Sequence, residues 1–185
     1  MSMEQESDQV VQRRANLDEL RKLGVDVYPR RFDARQTVEQ IVGEHSGKTG
    51  EALRFGGSLP ERIRELAICI VARETSNQFE WQTHAPKALE AGVAREAIDA
   101  VAAGRRPRGL TSGEDAVTDF VAELMQRHGV GDRTYEEAVR HFGEPGAVEL
   151  TTLVGYFVMV CWVMNVARTP GPAGSHVIPL GAFPS

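Results

Sequence analysis

The sequence of 185 residues predicts an all-α protein. From about residue 60 onwards, apolar residues recur at intervals of three and four, which is the period of an amphipathic helix. Few stretches alternate apolar and polar residues as half-buried strands do. Gly24, Gly92 and Gly104 stand where the helices would end, and glycine is favoured just beyond a helix C-terminus. Together these observations favour a helical bundle with one core domain and an appended arm.

The composition is that of an ordinary soluble globular protein, with 42% hydrophobic and 25% charged residues. A net charge of −5 gives no reason to expect binding to nucleic acids or anionic membranes. Cys69 and Cys161 lie far apart in apolar runs, which is typical of small buried residues in a reduced compartment. The polar, acidic N-terminus has no signal-peptide pattern. We therefore expect a cytoplasmic protein without nucleic-acid or membrane partners.

Residues 1–50 form a polar arm, in which the charges are nearly balanced and apolar residues are sparse. The pattern predicts an amphipathic helix that ends at Gly24, then an extended stretch, then a short helix capped by Thr37. The predicted domain boundary follows this arm, so that the core domain covers residues 51–168.

The core domain is predicted as six helices joined by short loops. Pro60 is suited to the start of the first helix, and Asp132 is suited to capping the fifth. Residues 105–111 form a basic loop, and residues 169–185, which are rich in Pro and Gly, predict an extended strap over the surface. The six predicted helices cover residues 59–76, 77–92, 94–104, 112–129, 132–143 and 144–168.

The last predicted helix contains the most apolar segment, Leu153–Ala167. Its 15 residues, which include Asn165, are fewer than the roughly 20 that cross a bilayer. We expect this helix to be buried on most sides, which in a small protein often indicates an oligomer interface.

The second predicted helix carries a candidate site. Glu80 and His84 are four residues apart, so both side chains lie on one helix face and the carboxylate can contact the imidazole. The first helix adds Glu65, which stands among apolar residues. A carboxylate beside an imidazole fixes the ring and favours its cation, so these three residues could relay protons.

Three other interpretations fit the same spacing. A Glu–His pair on one helix is often a surface pair that contributes roughly a few tenths of a kcal/mol. His84 could flank a core stripe that includes Trp81, and Glu65 could pair with Arg62 or Arg64 instead. Two carboxylates and a histidine could also bind a metal ion, but the repeated Glu-x-x-His spacing of di-iron bundles is absent. We expect no metal and no cofactor.

Three motifs give the sequence a family resemblance. LPERIRELAI at residues 59–68, E-W-x-x-H at residues 80–84 and A-x-x-A-G at residues 88–92 resemble the carboxymuconolactone decarboxylase family, which includes the alkylhydroperoxidase D-like proteins. The resemblance covers residues 52–168. It implies an all-α bundle built on a helical hairpin, assembled as trimers or hexamers with sites near the subunit contacts. The helices that normally precede this core in the family differ from the arm.

The resemblance assigns roles to single residues. In the peroxidase branch of the family a C-x-x-C pair precedes the histidine, and its two positions hold Asn77 and Glu80 in this sequence. The upstream relay glutamate corresponds to Glu65, and the histidine corresponds to His84. Without the cysteine pair no dithiol can form, so thiol peroxidase chemistry is not expected. Asn77, at the first of these two positions, and Trp81, which follows the second, are assigned to substrate binding.

The decarboxylase branch also lacks the cysteine pair, and the resemblance to it implies a cofactor-free lyase. His84 and Glu80 would carry protons, with Glu65 as a relay, during decarboxylation, isomerisation or hydrolysis of a small carboxylated lactone or carbonyl compound. Two alternatives stay open. One is a non-catalytic oligomeric scaffold or ligand-binding protein, and the other is an alkylhydroperoxidase-like antioxidant protein, which the missing cysteines disfavour.

The arm carries a second resemblance. Residues 13–42, RRANLDELRKLGVDVYPRRFDARQTVEQIV, are similar to the segment before the anticodon-binding domain of class II lysyl-tRNA synthetases. No catalytic motif of those enzymes accompanies it, so we do not expect aminoacylation. The arm is a candidate to wrap a neighbouring subunit, and RNA binding is a remote alternative because the charge of the arm is balanced.

Overall fold

The structure is a computed structural model that describes residue 22, residues 57–172, residue 177 and residues 179–181. The chain divides into two units, Met1–Gly47 and Lys48–Ser185, and every described residue except Lys22 belongs to the second. Apart from Lys22, the helices and the extended stretch predicted for the arm lie outside the described residues. The domain limits drawn from the sequence stay predictions.

The regular structure of the described residues is entirely helical, which confirms the predicted fold class. Pro60 is the N-cap of the first helix, and Gly92 and Gly104 follow the ends of the second and third with φ angles of 93° and 66°. Only glycine adopts such left-handed conformations without steric cost, which explains its placement there. The five helices of the described residues are α1 (Glu61–Glu74), α2 (Gln78–Glu90), α3 (Arg95–Ala102), α4 (Ser112–Arg127) and α5 (Asp132–Val166).

α1 is the central helix, because it packs against each of the other four. Its residues from Glu65 to Ala72 are buried without interruption, and most of them are apolar. A helix that is surrounded on all sides needs apolar residues around its whole circumference rather than along one stripe. Glu65 is therefore a carboxylate placed in the interior of the bundle.

A three-residue turn joins α1 to α2 and forms a helical hairpin. Ser76, in the middle of the turn, has a left-handed φ of 52°. Asn77 ends the turn and caps α2, because its Oδ1 accepts a hydrogen bond from the N–H of Glu80 at 2.8 Å. The Asn77 N–H donates to the carbonyl oxygen of Ala72 at 2.8 Å, so the cap is also tied to α1.

α4 begins with a capping box that also ties it to α1. Oε2 of Glu114 accepts a hydrogen bond from the Thr111 N–H at 2.8 Å, and Oε1 accepts one from Nε of Arg62 at 2.7 Å. Burial acts to raise the pKa of Glu114, but the hydrogen bonds from Thr111 and Arg62 outweigh it and the net pKa is lowered. The buried carboxylate is therefore held ionised by its partners.

α5 contains both of the last two predicted helices, with a kink between them at Gly143. Gly143 has φ 72° and ψ 169°, and Pro145 follows within the helix. The predicted cap is wrong, because Gly131 occupies the N-cap position and Asp132 is the first helical residue. A carboxylate in the first turn still interacts favourably with the helix dipole.

The C-terminal half of α5 is less buried than its composition predicts. Phe157 and Cys161 face the core, but Trp162 is 62% exposed and Val166 is 86% exposed. The prediction of a helix buried on most sides is therefore wrong for the single chain. By length and composition alone α5 could span a membrane. In its most apolar 18-residue segment 33% of the residues are buried, and core helices of soluble proteins have the same length and composition.

The described part of the C-terminal tail packs on α2. Val177 and Leu180 are buried and belong to the hydrophobic core. The side-chain amide of Gln78 donates to the carbonyl oxygen of Leu180 at 2.7 Å and accepts from its N–H at 3.1 Å. The predicted surface strap therefore contributes two apolar side chains to the interior.

We expect Gly146→Ala to destabilise the fold, because a Cβ at this position would lie 2.5 Å from Cβ of Phe142. The kink at Gly143 brings the two residues together, and overpacking of this kind costs about 1–3 kcal/mol. The control Gly155→Ala, on the same helix, places its Cβ in open space and should raise the free energy of unfolding by about 0.5–1 kcal/mol. Urea unfolding measures both, and equal shifts would contradict the packing argument.

Candidate active site

His84 lies between two carboxylates in the interior of the bundle. Its Nδ1 is 2.6 Å from Oε2 of Glu65, and its Nε2 is 3.1 Å from Oε2 of Glu80. The exposed fractions are 1% for His84, 4% for Glu65 and 5% for Glu80. The structure thus brings together the three residues that the sequence assigned to proton transfer. The interpretation of Glu80 and His84 as a surface pair is wrong, because both side chains are buried.

The helical hairpin places these side chains. Glu65 comes from the buried run of α1, while Glu80 and His84 lie one turn apart on α2. Because the turn between the helices is short, α2 packs back along α1 and residues 19 positions apart in sequence meet. All three members of the cluster of Glu65, His84 and Glu80, called the Glu–His–Glu cluster below, therefore come from the hairpin.

The two arginines near Glu65 on α1 have other partners. Arg62 donates to Glu114, and Nη1 of Arg64 donates to the carbonyl oxygen of Leu59 at 2.6 Å. The alternative pairing of Glu65 with one of these arginines is therefore wrong. The carboxylate of Glu65 is directed at His84 instead.

Burial and the two carboxylates act in opposite directions on the pKa of His84. Removal from water disfavours the charged ring, which lowers the pKa. The hydrogen bonds to Glu65 and Glu80 and the negative charges of both residues favour the imidazolium, and the net pKa is raised. A ring that donates from both nitrogens is the imidazolium form. The cluster therefore favours the protonated ring, which can donate to one carboxylate from each nitrogen.

The arrangement allows a proton to move over short distances. The 2.6 Å contact between Nδ1 and Glu65 is at the short end for a charge-assisted hydrogen bond. Transfer from Nδ1 to Glu65, or from Nε2 to Glu80, leaves a neutral ring and a carboxyl group. A proton lost on one side of the ring can thus be replaced from the other side, which is the property of a relay.

Sequence analysis missed Phe157, which packs on the imidazole from α5. The ring centroids of His84 and Phe157 are 5.3 Å apart, and their planes meet edge to face at 81°. Tyr156 meets Phe157 in a similar arrangement. The aromatic edge restricts the imidazole plane and keeps water from that side of the ring. The apolar periodicity of α5 predicts which of its faces is buried. It does not predict which residues of the other helices that face contacts.

Asn77 and Trp81, the predicted substrate-binding residues, are both buried. Besides capping α2, Asn77 donates from Nδ2 to the carbonyl oxygen of Cys161 at 3.1 Å and to Oδ1 of Asn165 at 2.9 Å. Trp81 belongs to the hydrophobic core. These contacts favour a structural role for Asn77, and the binding role of both residues stays a prediction.

Neither cysteine is disposed to act as a thiolate. Burial raises the pKa of Cys69 well above its ordinary value, and the nearby charge of Glu65 raises it further. The pKa of Cys161 is raised to about 11 by burial and by the charge of Glu80, although a hydrogen bond with Thr75 lowers it. Because the thiolate is the reactive form, two protonated thiols agree with the chemistry expected from the missing C-x-x-C pair.

The donor atoms of the Glu–His–Glu cluster are not arranged around one point. Glu65 and Glu80 meet opposite nitrogens of a single ring, whereas a metal ion binds one nitrogen and gathers further donors around itself. Within the described ranges, no group of three or more His, Cys, Asp or Glu side chains could hold a metal ion. The cluster is suited to protons rather than to a metal.

The segment that contains the hairpin is similar to a known protein family. Residues 44–123 match the model of the carboxymuconolactone decarboxylase family. The match confirms, over these residues, the resemblance found in the sequence motifs. All three members of the cluster lie within the matched residues, while α5 lies beyond them.

A solved structure shares the fold. The chain is similar to a protein of unknown function from Agrobacterium tumefaciens, provisionally assigned as the antioxidant defence protein AhpD, with a TM-score of 0.59. The two sequences are 18% identical, and the match covers 66% of this chain and 85% of the other. At this identity the likeness establishes an AhpD-like helical fold and nothing further. No curated protein matches the chain.

We expect the ion pairs of His84 to stabilise the fold most at acidic pH. Because the folded-state pKa of His84 is raised, the stabilisation is fully present below the unfolded value of about 6.5 and is lost as pH rises through the folded pKa. Urea unfolding between about pH 5.5 and pH 8.5 measures this dependence. The free energy of unfolding of the wild type should fall relative to that of His84→Gln as pH rises above about 6.5. Parallel pH profiles would contradict the raised pKa.

Proposed function

We propose that this protein is a cofactor-free acid/base enzyme that acts on a small carboxylated lactone or carbonyl compound. The observation that carries the proposal is the Glu–His–Glu cluster, in which a buried imidazole contacts one carboxylate through each nitrogen. Buried ionisable groups are costly for a fold to retain, and perturbed, paired groups concentrate at functional sites. The family match over residues 44–123 supports the same class of reaction.

The two carboxylates would have different tasks. Glu65 forms the shorter contact and stands in the buried run of α1, so it holds the ring and its Nδ1 proton. Glu80 forms the longer contact from the first turn of α2, so its bond to Nε2 is more easily replaced by a substrate. Nε2 and Glu80 therefore face the substrate in this proposal, and Glu65 orients the ring from the opposite side.

A decarboxylation would use the cluster to return a proton. The bond between carbon and the substrate carboxylate breaks, CO2 leaves, and the electron pair stays on the substrate, where an adjacent unsaturated carbonyl delocalises it. The imidazolium then donates its Nε2 proton to carbon, and the neutral ring regains a proton from solvent through Glu80. An isomerisation needs the same groups to remove a proton at one carbon and return it at another.

Access to the cluster requires movement of neighbouring side chains, because its three members are nearly buried in the single chain. Phe157 contacts the imidazole directly, so displacement of its ring would expose His84. The same burial favours a second candidate function, a non-catalytic oligomeric scaffold in which the cluster only orders the hairpin.

Turnover tests the leading proposal. Small carboxylated lactones and carbonyl compounds are screened first for an increase in Tm, because a ligand that binds the folded state stabilises it. For a compound that is converted, we expect His84→Gln and Glu80→Gln to lower kcat by at least about 100-fold, since each removes a proton carrier. The control His141→Gln, at an exposed position on α5, should leave kcat unchanged.

Undiminished turnover in His84→Gln would rule out the acid/base role. The scaffold is favoured instead if compounds in the panel raise the Tm without being converted and leave the NMR signals of the His84 ring unchanged.

We also propose that the protein is a homo-oligomer, a trimer or hexamer as the family resemblance implies. The C-terminal half of α5 exposes an apolar stripe, called the α5 stripe. Its members lie at positions i, i+3, i+4 and i+7 of one helix face and are Met159, Trp162, Val163 and Val166. Contiguous exposed apolar surface on a soluble protein is typical of an interaction site. A second copy of this chain is the proposed partner.

We expect Trp162→Glu to reduce the molar mass of the protein in solution, because it places a charge in the centre of the α5 stripe. Gln126→Glu makes the same change of charge at an exposed position on α4 and should leave the mass unchanged. Size-exclusion chromatography with light scattering measures both. A wild-type protein with the mass of a single chain would contradict the oligomer.

A further inference from the structure

A hydrogen-bonded path joins the last turns of α5 to the hairpin turn. Nδ2 of Asn165 donates to the carbonyl oxygen of Thr75 at 2.7 Å, and its Oδ1 accepts from Nδ2 of Asn77 at 2.9 Å. One side-chain amide thus contacts both the first and the last residue of the turn between α1 and α2. Asn165 lies outside the residues that match the family model, so the sequence motifs of the site do not include it.

Asn77 continues the path to Glu80. Its Oδ1 accepts from the Glu80 N–H at 2.8 Å. In a capping box, the carboxylate at the third helical position bonds back to the N–H of the cap. The N–H of Asn77 donates instead to the carbonyl oxygen of Ala72, so the Glu80 carboxylate is available to meet Nε2 of His84 at 3.1 Å.

The hairpin turn depends on partners outside itself, because its own conformation is unfavourable. Ser76 is in the left-handed region, which residues with a Cβ disfavour. Asn165 holds the turn on either side of Ser76 through one hydrogen bond that it donates and one that it accepts. A second residue of α5 takes part, because the carbonyl oxygen of Cys161 also accepts a hydrogen bond from Asn77. The placement of Glu80 is therefore set from α5 as well as from the hairpin.

We propose that Asn165 is a positioning residue for the candidate site, which holds Asn77 and the Thr75 carbonyl and thereby keeps Glu80 against Nε2 of His84. The contact between Glu65 and Nδ1 does not depend on Asn165, because Glu65 comes from the middle of α1. The catalytic meaning of this role rests on the proposed function. The geometric claim is tested without any substrate.

NMR titration of the His84 ring provides the measurement. The protein has five histidines, and His84→Gln identifies the signals of interest. The ionisable groups that act on the ring are Glu65 from α1 and Glu80 from α2, while α5 presents the uncharged ring of Phe157. We expect Asn165→Ala to lower the pKa of His84 by about 1, because the Glu80 contact loosens while the ring stays buried.

Two double variants separate positioning from general loosening of the fold. In a Glu80→Gln background, Asn165→Ala should no longer change the pKa of His84, because the carboxylate through which it acts is gone. In a Glu65→Gln background, Asn165→Ala should still lower it. Val121→Ala, in the core of α4, is the control that reduces stability and leaves the pKa of His84 unchanged.

An unchanged pKa of His84 in Asn165→Ala would overturn the proposal, as would an equal decrease in the Glu80→Gln background. If Asn165→Ala does not fold, Asn165→Ser replaces it, because its side chain is too short to reach both partners. The pKa of His84 is then measured in this variant alone and in the Glu80→Gln background, with the same criteria. Because turnover is not measured, an absence of enzymatic activity would refute the proposed function and leave this result standing.

Discussion

The contact of one imidazole with two carboxylates is the interaction on which the rest of the site depends. None of the three groups could be buried alone at low cost, because a charge removed from water needs a partner of opposite sign or a set of hydrogen bonds. The surrounding structure meets this need. The apolar circumference of α1 excludes water around Glu65, the short turn brings α2 alongside, and Phe157 covers the ring from α5. Packing and charge are thus mutually dependent in the hairpin.

Two similar local sequences have different outcomes in this chain. Thr111 and Glu114 stand three apart at the start of α4, and Asn77 and Glu80 stand three apart at the start of α2. Glu114 bonds back to the Thr111 N–H and completes a capping box. Glu80 does not bond back, because the N–H of Asn77 is bound to α1. A small difference in how the preceding turn is connected decides whether a glutamate caps a helix or reaches a histidine.

The helices and their ends could be predicted because local rules determine them. Pro60, Gly92 and Gly104 have the backbone conformations that their positions in the sequence indicate, and Glu80 reaches His84 because both lie on one helix face. The partner of Glu65 could not be predicted from spacing, because Arg62 and Arg64 were equally possible partners. Only the family motif favoured His84.

Phe157 and the exposed half of α5 could not be predicted in the same way. Periodicity identifies an apolar face, but whether the chain itself covers that face depends on how helices far apart in sequence pack together. The prediction of the α5 cap was wrong for a local reason. Gly131 occupies the N-cap position, and Asp132, a residue type preferred there, is the first residue inside the helix.

The two sides of α5 have a joint consequence. Asn165 points its amide at the hairpin turn, while its neighbour Val166 is the most exposed residue of the α5 stripe. Beyond the kink at Gly143 the helix is uninterrupted, so the inner and outer faces belong to one continuous helix. A partner that shifted the outer face would also shift the Asn165 amide, because both belong to the same helix.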